Sequence, residues 1–441
     1  MALRTNQQPP HILKTHPCNH ATIQPRDYQT TRPRDYVTNM TNMTGPLSSL
    51  KIIDFSTLLP GPFASMMLAD LGADVIRIEA PHRPDMVRHT PPFDGESSTW
   101  HAVLNRNKRS LALDLKQPAA IEIVKRLLDP ALGGYDILLE QFRPGVMDRL
   151  GLDYKTLHAL NPGLIYCSLT GYGQTGPYRE RAGHDLNYLA LSGMMSYSGH
   201  TETGPPPLGT QVADIGGGSW GAIMGILTAV IHRQQTGTGQ MVDVSMLDMV
   251  IAMQAHTISN FLAAGESPAP EEMPLNGGTF YDYYQTKDGR FLAIAALEPK
   301  FYVGFCEAIE RPDLGRSLPD QDPTRQQTLK AAIQATIEQK TLAEWTAVFA
   351  NHDVCVEPVL TVPEMVAHPQ VQARGLLVTV PRGDGSQQSQ IGHPLQFSAT
   401  APSYRHTGTA VGAHTSQILA KIGYNREQID ALLEAGVISE T

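Results

Sequence analysis

Cysteine is scarce in this chain. There are four in 441 residues, Cys18, Cys167, Cys306 and Cys355, and none forms a Cys-x-x-Cys pair. Such spacing argues against a zinc knuckle or a disulfide framework and makes a reducing, cytoplasmic setting the expectation. Basic charge is also in deficit: 34 Lys and Arg stand against 43 Asp and Glu, for a net charge of −9. The global basic footprint of a nucleic-acid binder is therefore missing, although local basic clusters can still hold a small anion. Long apolar runs are absent too. The longest, "GAIMGILTAVI" at 221–231, is too short to span a bilayer and reads as a buried helix, so no membrane partner is expected. His200, His232 and the histidines of the tail lack ligand spacing, so no metal site is expected. Finally, the first strand-to-helix turn reads "STLLPGPF" rather than Gly-x-Gly-x-x-Gly. That disfavours a dinucleotide site, even though Glu79 ends the second strand where such folds place an acid.

The first 46 residues lack apolar periodicity. They are rich in Pro, Thr, Asn, Gln and His, and "PRDY" occurs twice, at Pro25 and Pro33. A segment of this composition cannot bury enough surface to offset its ordering entropy, so 1–46 is expected to be a disordered extension. It also lacks the apolar centre of a secretory signal.

Beyond residue 46 the chain is patterned. "KIIDF", "GPFASMMLADLG" and "DVIRIE" read as strand, helix and strand, a βαβ unit of about 30 residues that implies a parallel sheet. "SLALDL", "AAIEIVKRLLD", "DILLEQF" and "GLIYCSLTGYG" continue the alternation. The fold class is α/β, with a doubly wound parallel-sheet large domain and a smaller α+β domain. The large domain is expected over 47–240. A long helix over 216–237 and a second one from "DVSMLDMVIAMQAHTISNFLAAG" lead through linking helices at 241–276. A smaller domain comes next, at 277–400, opened by a hairpin that turns at Asp288-Gly289. Two short helices at 401–441 return to the large domain.

"AGHDLNYLALSG" at 182–193 places His184 beside Asp185 at the head of an apolar stretch. Alone, the pair reads as a helix cap, since Asp is a good N-cap. Asp214 in "VADIGGG" and Glu298 in "ALEPKF" have equally plain readings, as a cap and a surface acid. The ordered set of motifs reads differently. "LPGPFASMMLADLGADVIRIE", "NRNKRSLALDLK", "FRPGVMDRLGL", "NPGLIYCSLTGYGQTGP", "RAGHDLNYLALSG", "VADIGGG", "TGTGQMVDVSMLD" and "ALEPKF" succeed one another along the chain. Together they resemble the family III CoA-transferases (the CaiB/BaiF superfamily), whose fold is shared with the α-methylacyl-CoA racemases. The resemblance runs from about residue 50 to the C-terminus and is closest to the racemase pattern.

This resemblance implies two subunits threaded through each other as linked rings, with the active site at their interface. It implies a substrate that is an acyl-CoA, coenzyme A entering as part of it, and no permanently bound cofactor. Two chemistries then compete. A racemase exchanges the α-proton of a 2-methylacyl-CoA, with His184 and Asp214 on opposite faces and Glu298 orienting His184. A transferase passes CoA to a free carboxylic acid through a covalent intermediate on Asp185. For the CoA phosphates, Lys and Arg are needed. Arg83, Arg106, Lys108, Arg109, Arg143 and Arg149 are the candidates, and the resemblance adds Ala112, Leu113, Asp114 and Leu115. Tyr172 and Gly173 in the glycine-rich loop, with Gly183, Asn187 and Tyr188, complete the candidate site.

Overall fold

The computed structural model describes residues 45–316, 319–320 and 322–441. The extension expected at 1–46 lies, up to residue 44, outside the described residues. Six strands run parallel in one sheet: β1 (Lys51–Asp54), β2 (Asp74–Glu79), β3 (Arg109–Leu113), β4 (Ile137–Glu140), β5 (Ile165–Thr170) and β6 (Met241–Ser245). Their order is β3-β2-β1-β4-β5-β6, and a short C-terminal strand, Ile438–Ser439, closes the β3 edge antiparallel. The chain therefore winds outward from β1 to β3, returns to place β4 beside β1, and winds outward again. That reversal leaves a crevice at the C-terminal ends of β1 and β4, where ligands bind in open α/β sheets.

Both faces of the sheet are covered, as parallel strands require. Neighbouring residues of β1 take opposite sides. Ile53 belongs to the layer of Leu111, Leu138, Ile123 and Leu127, which the C-terminal Ile418 and Leu419 complete. Ile52 belongs to the other layer, with Ala64, Leu68, Ile165, Ala222 and Ile226. Helix α1 (Pro60–Asp70) starts with prolines, which are pre-set for a first helical turn, and ends at Gly72, whose φ is +102°. Beyond the large sheet, a three-stranded antiparallel sheet contains Asp282–Gln285, Phe291–Ile294 and Val356–Pro358, over a core of Tyr302, Phe305 and Trp345. The hairpin expected around Asp288-Gly289 is its first two strands.

Two helix expectations are corrected. "DVSMLDMVIAMQAHTISNFLAAG" is not one helix. Met241–Ser245 is the edge strand β6, and the rest is Met246–Met253 and Ala255–Ala264, broken at Gln254. Ser245 ends the strand and caps the next helix by accepting the Asp248 N–H at 3.1 Å. The helix expected at 216–237 begins earlier, as a π-helical segment, Val212–Ser219, that continues into Trp220–Thr236. Together these run for 25 residues, long and apolar enough by length and composition to cross a membrane, so the short apolar run understated the element. Ala222, Ile226 and Ala229 are fully buried against the sheet. Glycines allow the π-helical segment to seat closely: a Cβ at Gly218 would lie 2.9 Å from Met246 Cγ, and one at Gly217 3.1 Å from the Met246 carbonyl oxygen.

Gly61 shows the same demand at the crevice. A Cβ there would run into the Ser56 side chain and lie 2.8 Å from Gln141 Oε1. Ser56 cannot move aside, because it is fully buried and its N–H and hydroxyl both donate to Asp54. Gly61→Ala gains about 1 kcal/mol of helix propensity but incurs a clash of about 1–3 kcal/mol. Guanidinium unfolding should show net destabilisation; a variant more stable than the wild type would contradict this packing.

Candidate active site

The crevice holds a cavity of about 440 Å³. Its walls are the segments that leave β1 (Thr57, Leu58, Pro60), β4 (141–144) and β5 (Leu169 to Tyr172), joined by 181–184, Asn187, Tyr188 and Asp214. The first two walls are tied in place. Leu58, at a left-handed φ of 63°, donates its N–H to Asp85 at 2.9 Å, and Gln141 accepts the Gly61 N–H at 3.0 Å.

His184 is the N-cap residue of the helix Asp185–Leu191, with extended backbone (φ −133°, ψ 174°). Its N–H donates to Asn187 Oδ1 at 3.0 Å, which ties down the loop-to-helix junction. The Tyr188 hydroxyl donates to the Gly183 carbonyl at 2.6 Å, and a Cβ on Gly183 would sit 2.7 Å from Tyr172 Oη. The stretch before His184 is thus pressed against two tyrosines, whose own rings meet edge-on at 5.2 Å. The imidazole is left exposed on the cavity wall.

Asp185 does not cap its own helix. Its Oδ1 accepts the N–H of Ala213 at 2.6 Å and that of Asp214 at 3.0 Å, so it caps the π-helical segment 28 residues away. Asp214 lines the same cavity as His184. Burial, and then the Asp185 charge, push the Asp214 carboxyl up to about 6, against a smaller opposing pull from His184. The site presents two groups able to take and return protons from one cavity.

Of the candidates, the structure brings His184, Asp214, Arg143, Tyr172, Gly183, Asn187 and Tyr188 together around the cavity. Others fall elsewhere. Arg106 is fully buried on Asp70, with Nη2 to Oδ2 at 2.6 Å, and Nη1 donates to the Ile391 carbonyl at 2.7 Å. Lys108 is buried between Asp54 at 3.2 Å and the Pro62 carbonyl at 2.9 Å, and burial pushes its ammonium down to about 8. Arg109 is paired with Asp74 at 2.6 Å. These three spend their charge inside the fold, so the "NRNKRS" cluster is not an open phosphate cradle. Ala112 and Leu113 are fully buried in β3, Asp114 accepts from the Lys116 N–H and the Gln117 amide at 3.2 Å each, and Leu115 packs on the core below. None of these four lines the cavity, because β3 lies two strands from β1. Arg83 and Arg149 are exposed outside its wall, and Gly173 is buried just beyond it. Glu298 is exposed at the start of the helix Pro299–Ala308, also outside the wall, so within one chain it does not reach His184.

Gln141, Arg179 and Arg181 also line the cavity, and the sequence pattern did not single them out. Arg181 lies over the Tyr178 ring at 4.5 Å, and Tyr178 meets Tyr172 edge-on at 5.6 Å. The available signal was the charged run "YRERAGHD", which sets both arginines a few residues before His184. Among the described residues, no group of three or more His, Cys, Asp or Glu could hold a metal ion.

A cavity at the strand-order reversal of a doubly wound sheet, lined by a His and by a carboxyl pushed up to about 6, marks the ligand site of an α/β protein. The model of CoA-transferase family III matches residues 47–415, and the chain belongs to that family. It is 36% identical over 388 residues to the human alpha-methylacyl-CoA racemase, covering 87% of this chain and 95% of that protein. It is 35% identical over 404 residues to the succinate–glutarate CoA-transferase of Agrobacterium fabrum, covering 88% and 98% respectively. Among solved structures, a CaiB/BaiF family protein from Brucella suis superposes with a TM-score of 0.74 at 30% identity, covering 86% of this chain and all of that one. The chain is therefore an acyl-CoA enzyme of the superfamily that holds both racemases and CoA-transferases.

The placement of Arg106 yields a test. Removing one partner of a buried ion pair leaves the other charge uncompensated, at a cost of about 3–5 kcal/mol. Arg106→Ala should lower the unfolding free energy by that order, read by urea denaturation, while leaving the KM for acyl-CoA within about twofold. A stable variant with a large rise in KM would instead put Arg106 on the ligand.

Proposed function

We propose that this enzyme racemises a 2-methylacyl-CoA thioester by exchanging its α-proton. The observation that carries this reading is that His184 and Asp214 line one cavity, and that Asp214 is held at about 6 by burial and by Asp185. A thioester acidifies its α-carbon, but the enolate formed is unstable in water. Catalysis needs a base on one face, an acid on the other, and donors for the developing oxyanion. His184 takes the proton from one face and Asp214 returns one to the other; in the reverse direction the roles exchange. Asp214 is suited to this because a carboxyl held near 6 can both donate and accept close to neutral pH. The backbone N–H at the head of the Asp185–Leu191 helix supports the enolate oxygen. CoA enters with its substrate, and Arg143 on the cavity wall is the candidate placed to meet its anionic part.

Glu298 serves this site from a second copy of the chain in an interlocked homodimer. Supporting this are its exposed position off the cavity wall and the exposed apolar side chains of Met224, Ile231, Phe261 and Leu262 on the helices 220–236 and 255–264.

A CoA-transferase is the second reading, favoured by the 35% identity to the Agrobacterium enzyme. There Asp185 attacks the thioester carbonyl and expels CoA thiolate, leaving a mixed anhydride. The thiolate then attacks the aspartyl carbonyl, releasing the first acid and leaving an aspartyl-CoA thioester. An acceptor carboxylate attacks that thioester and expels CoA thiolate, forming a second mixed anhydride, and the thiolate then attacks the acceptor acyl carbon and frees the Asp185 carboxylate.

One experiment separates the two. Incubated with a chiral 2-methylacyl-CoA in D₂O without added acid, the enzyme should place deuterium at the α-carbon and lose optical purity. His184→Ala should slow this by about 10²–10⁴-fold. No deuterium uptake, with CoA passing to an added carboxylic acid, would establish the transferase.

A further inference from the structure

The Asp185 side chain is committed before any substrate arrives. One oxygen accepts two backbone N–H groups, from Ala213 at 2.6 Å and Asp214 at 3.0 Å. These are the opening amides of the π-helical segment Val212–Ser219, which have no earlier turn to donate to. The other end of the same turn is fixed independently. The Ser219 hydroxyl donates to the Pro60 carbonyl at 2.7 Å and lies 3.2 Å from the Asp214 carbonyl, tying the segment to the head of α1. Between these ties the chain is Asp-Ile-Gly-Gly-Gly, whose glycines seat closely on Met246 and Met249 but leave Asp214, at its head, without a neighbour packed that tightly. Asp185 itself does not line the cavity, whereas His184 before it and Asp214 across from it both do.

We propose that Asp185 is a positioning residue whose carboxylate anchors the turn carrying Asp214 and so sets where the Asp214 carboxyl meets the α-carbon. This rests on the racemase reading and assigns Asp185 a part in it. The dipeptide His184–Asp185 then serves both faces of the substrate: His184 acts directly, and Asp185 acts through Asp214. The link also carries charge. Asp214 is faced by Asp185 and His184 at the head of the 185–191 helix and by the Tyr188 hydroxyl one turn on. From α1 the π-helical segment meets the Pro60 carbonyl, and from the helix 246–253 it meets Met246, Met249 and Val250. Asp185 is therefore the negative neighbour that helps to keep the Asp214 carboxyl up at about 6. Removing that charge must move it down, so the acid limb of the exchange rate moves to lower pH.

Two variants separate anchoring from bulk or charge. Asp185→Ala removes the acceptor; Asp185→Asn keeps an amide oxygen at the same place but removes the charge. A misplacement of about 1 Å at a reacting group costs about 100-fold. For α-proton exchange in D₂O, Asp185→Ala should lower kcat by about that factor with KM within about threefold. Asp185→Asn should recover at least about a tenth of wild-type kcat, with its acid limb displaced to lower pH. A readout independent of turnover is amide hydrogen exchange over 211–219, which should speed up by about tenfold or more in Asp185→Ala and change little in Asp185→Asn. Exchange kinetics within about threefold of wild type in Asp185→Ala, or an Asp185→Asn protein as inactive as Asp185→Ala, would overturn the anchoring role. A wild-type protein that transfers CoA without exchanging protons would instead fail the racemase reading. In that case a hydroxylamine adduct on Asp185 would make it the nucleophile and remove the positioning role too.

Discussion

The constraint on which this molecule depends is the reversal of strand order between β1 and β4. The cavity lined by His184 and Asp214 lies at that line. Chain leaving β1 must turn one way and chain leaving β4 the other, so their C-terminal ends part and leave a crevice that the sheet itself cannot fill. The walls are then furnished by the segments that leave those strands, and β5 adds the tyrosine loop. The helix bearing His184 and the turn bearing Asp214 close over this space. One carboxylate oxygen links them through two backbone N–H groups, and Tyr188, Leu189 and Ala213 share one apolar cluster.

Behind the crevice lies a layer of buried charge. Asp54 pairs with Lys108, Asp70 with Arg106 and Asp74 with Arg109, linking β1, β2, α1 and the segment that enters β3. Such pairs add little net stability, since desolvation offsets most of the attraction, but each is costly to break singly. Burial alone would raise the Asp54 carboxyl. Lys108 and the hydroxyls of Ser56 and Ser65 outweigh it and hold the group below its ordinary value. The same network fixes Ser56 and, through it, the close seat of Gly61 at the mouth of the crevice. Arg106, Lys108 and Arg109, which look suited to phosphate, are internal scaffolding in this fold, and Lys108 braces the loop after β1.

The sheet was legible in the sequence because each βαβ unit carries its own local pattern. Five of the parallel strands coincide with apolar runs such as "KIIDF" and "DILLE". The edge strand β6 was not, because "MVDVS" abuts an apolar helix without a turn signal between them. At the site, His184 and Asp214 were identifiable through resemblance, and both line one cavity in the structure. The target of Asp185 was beyond reach, since a local cap and a cap on a segment 28 residues away look identical in one dimension. The fate of Arg106 and Lys108 was hidden for a similar reason: their acids, Asp70 and Asp54, are 36 and 54 residues distant.

The central claim is that His184 and Asp214 act on opposite faces of one α-carbon. It is tested most directly by giving Asp214→Asn protein each enantiomer of a 2-methylacyl-CoA separately in D₂O. With only His184 left, one enantiomer should take up deuterium with retention, the other should stay unlabelled, and neither should invert. Inversion of both enantiomers at rates near those of the wild type would contradict the account.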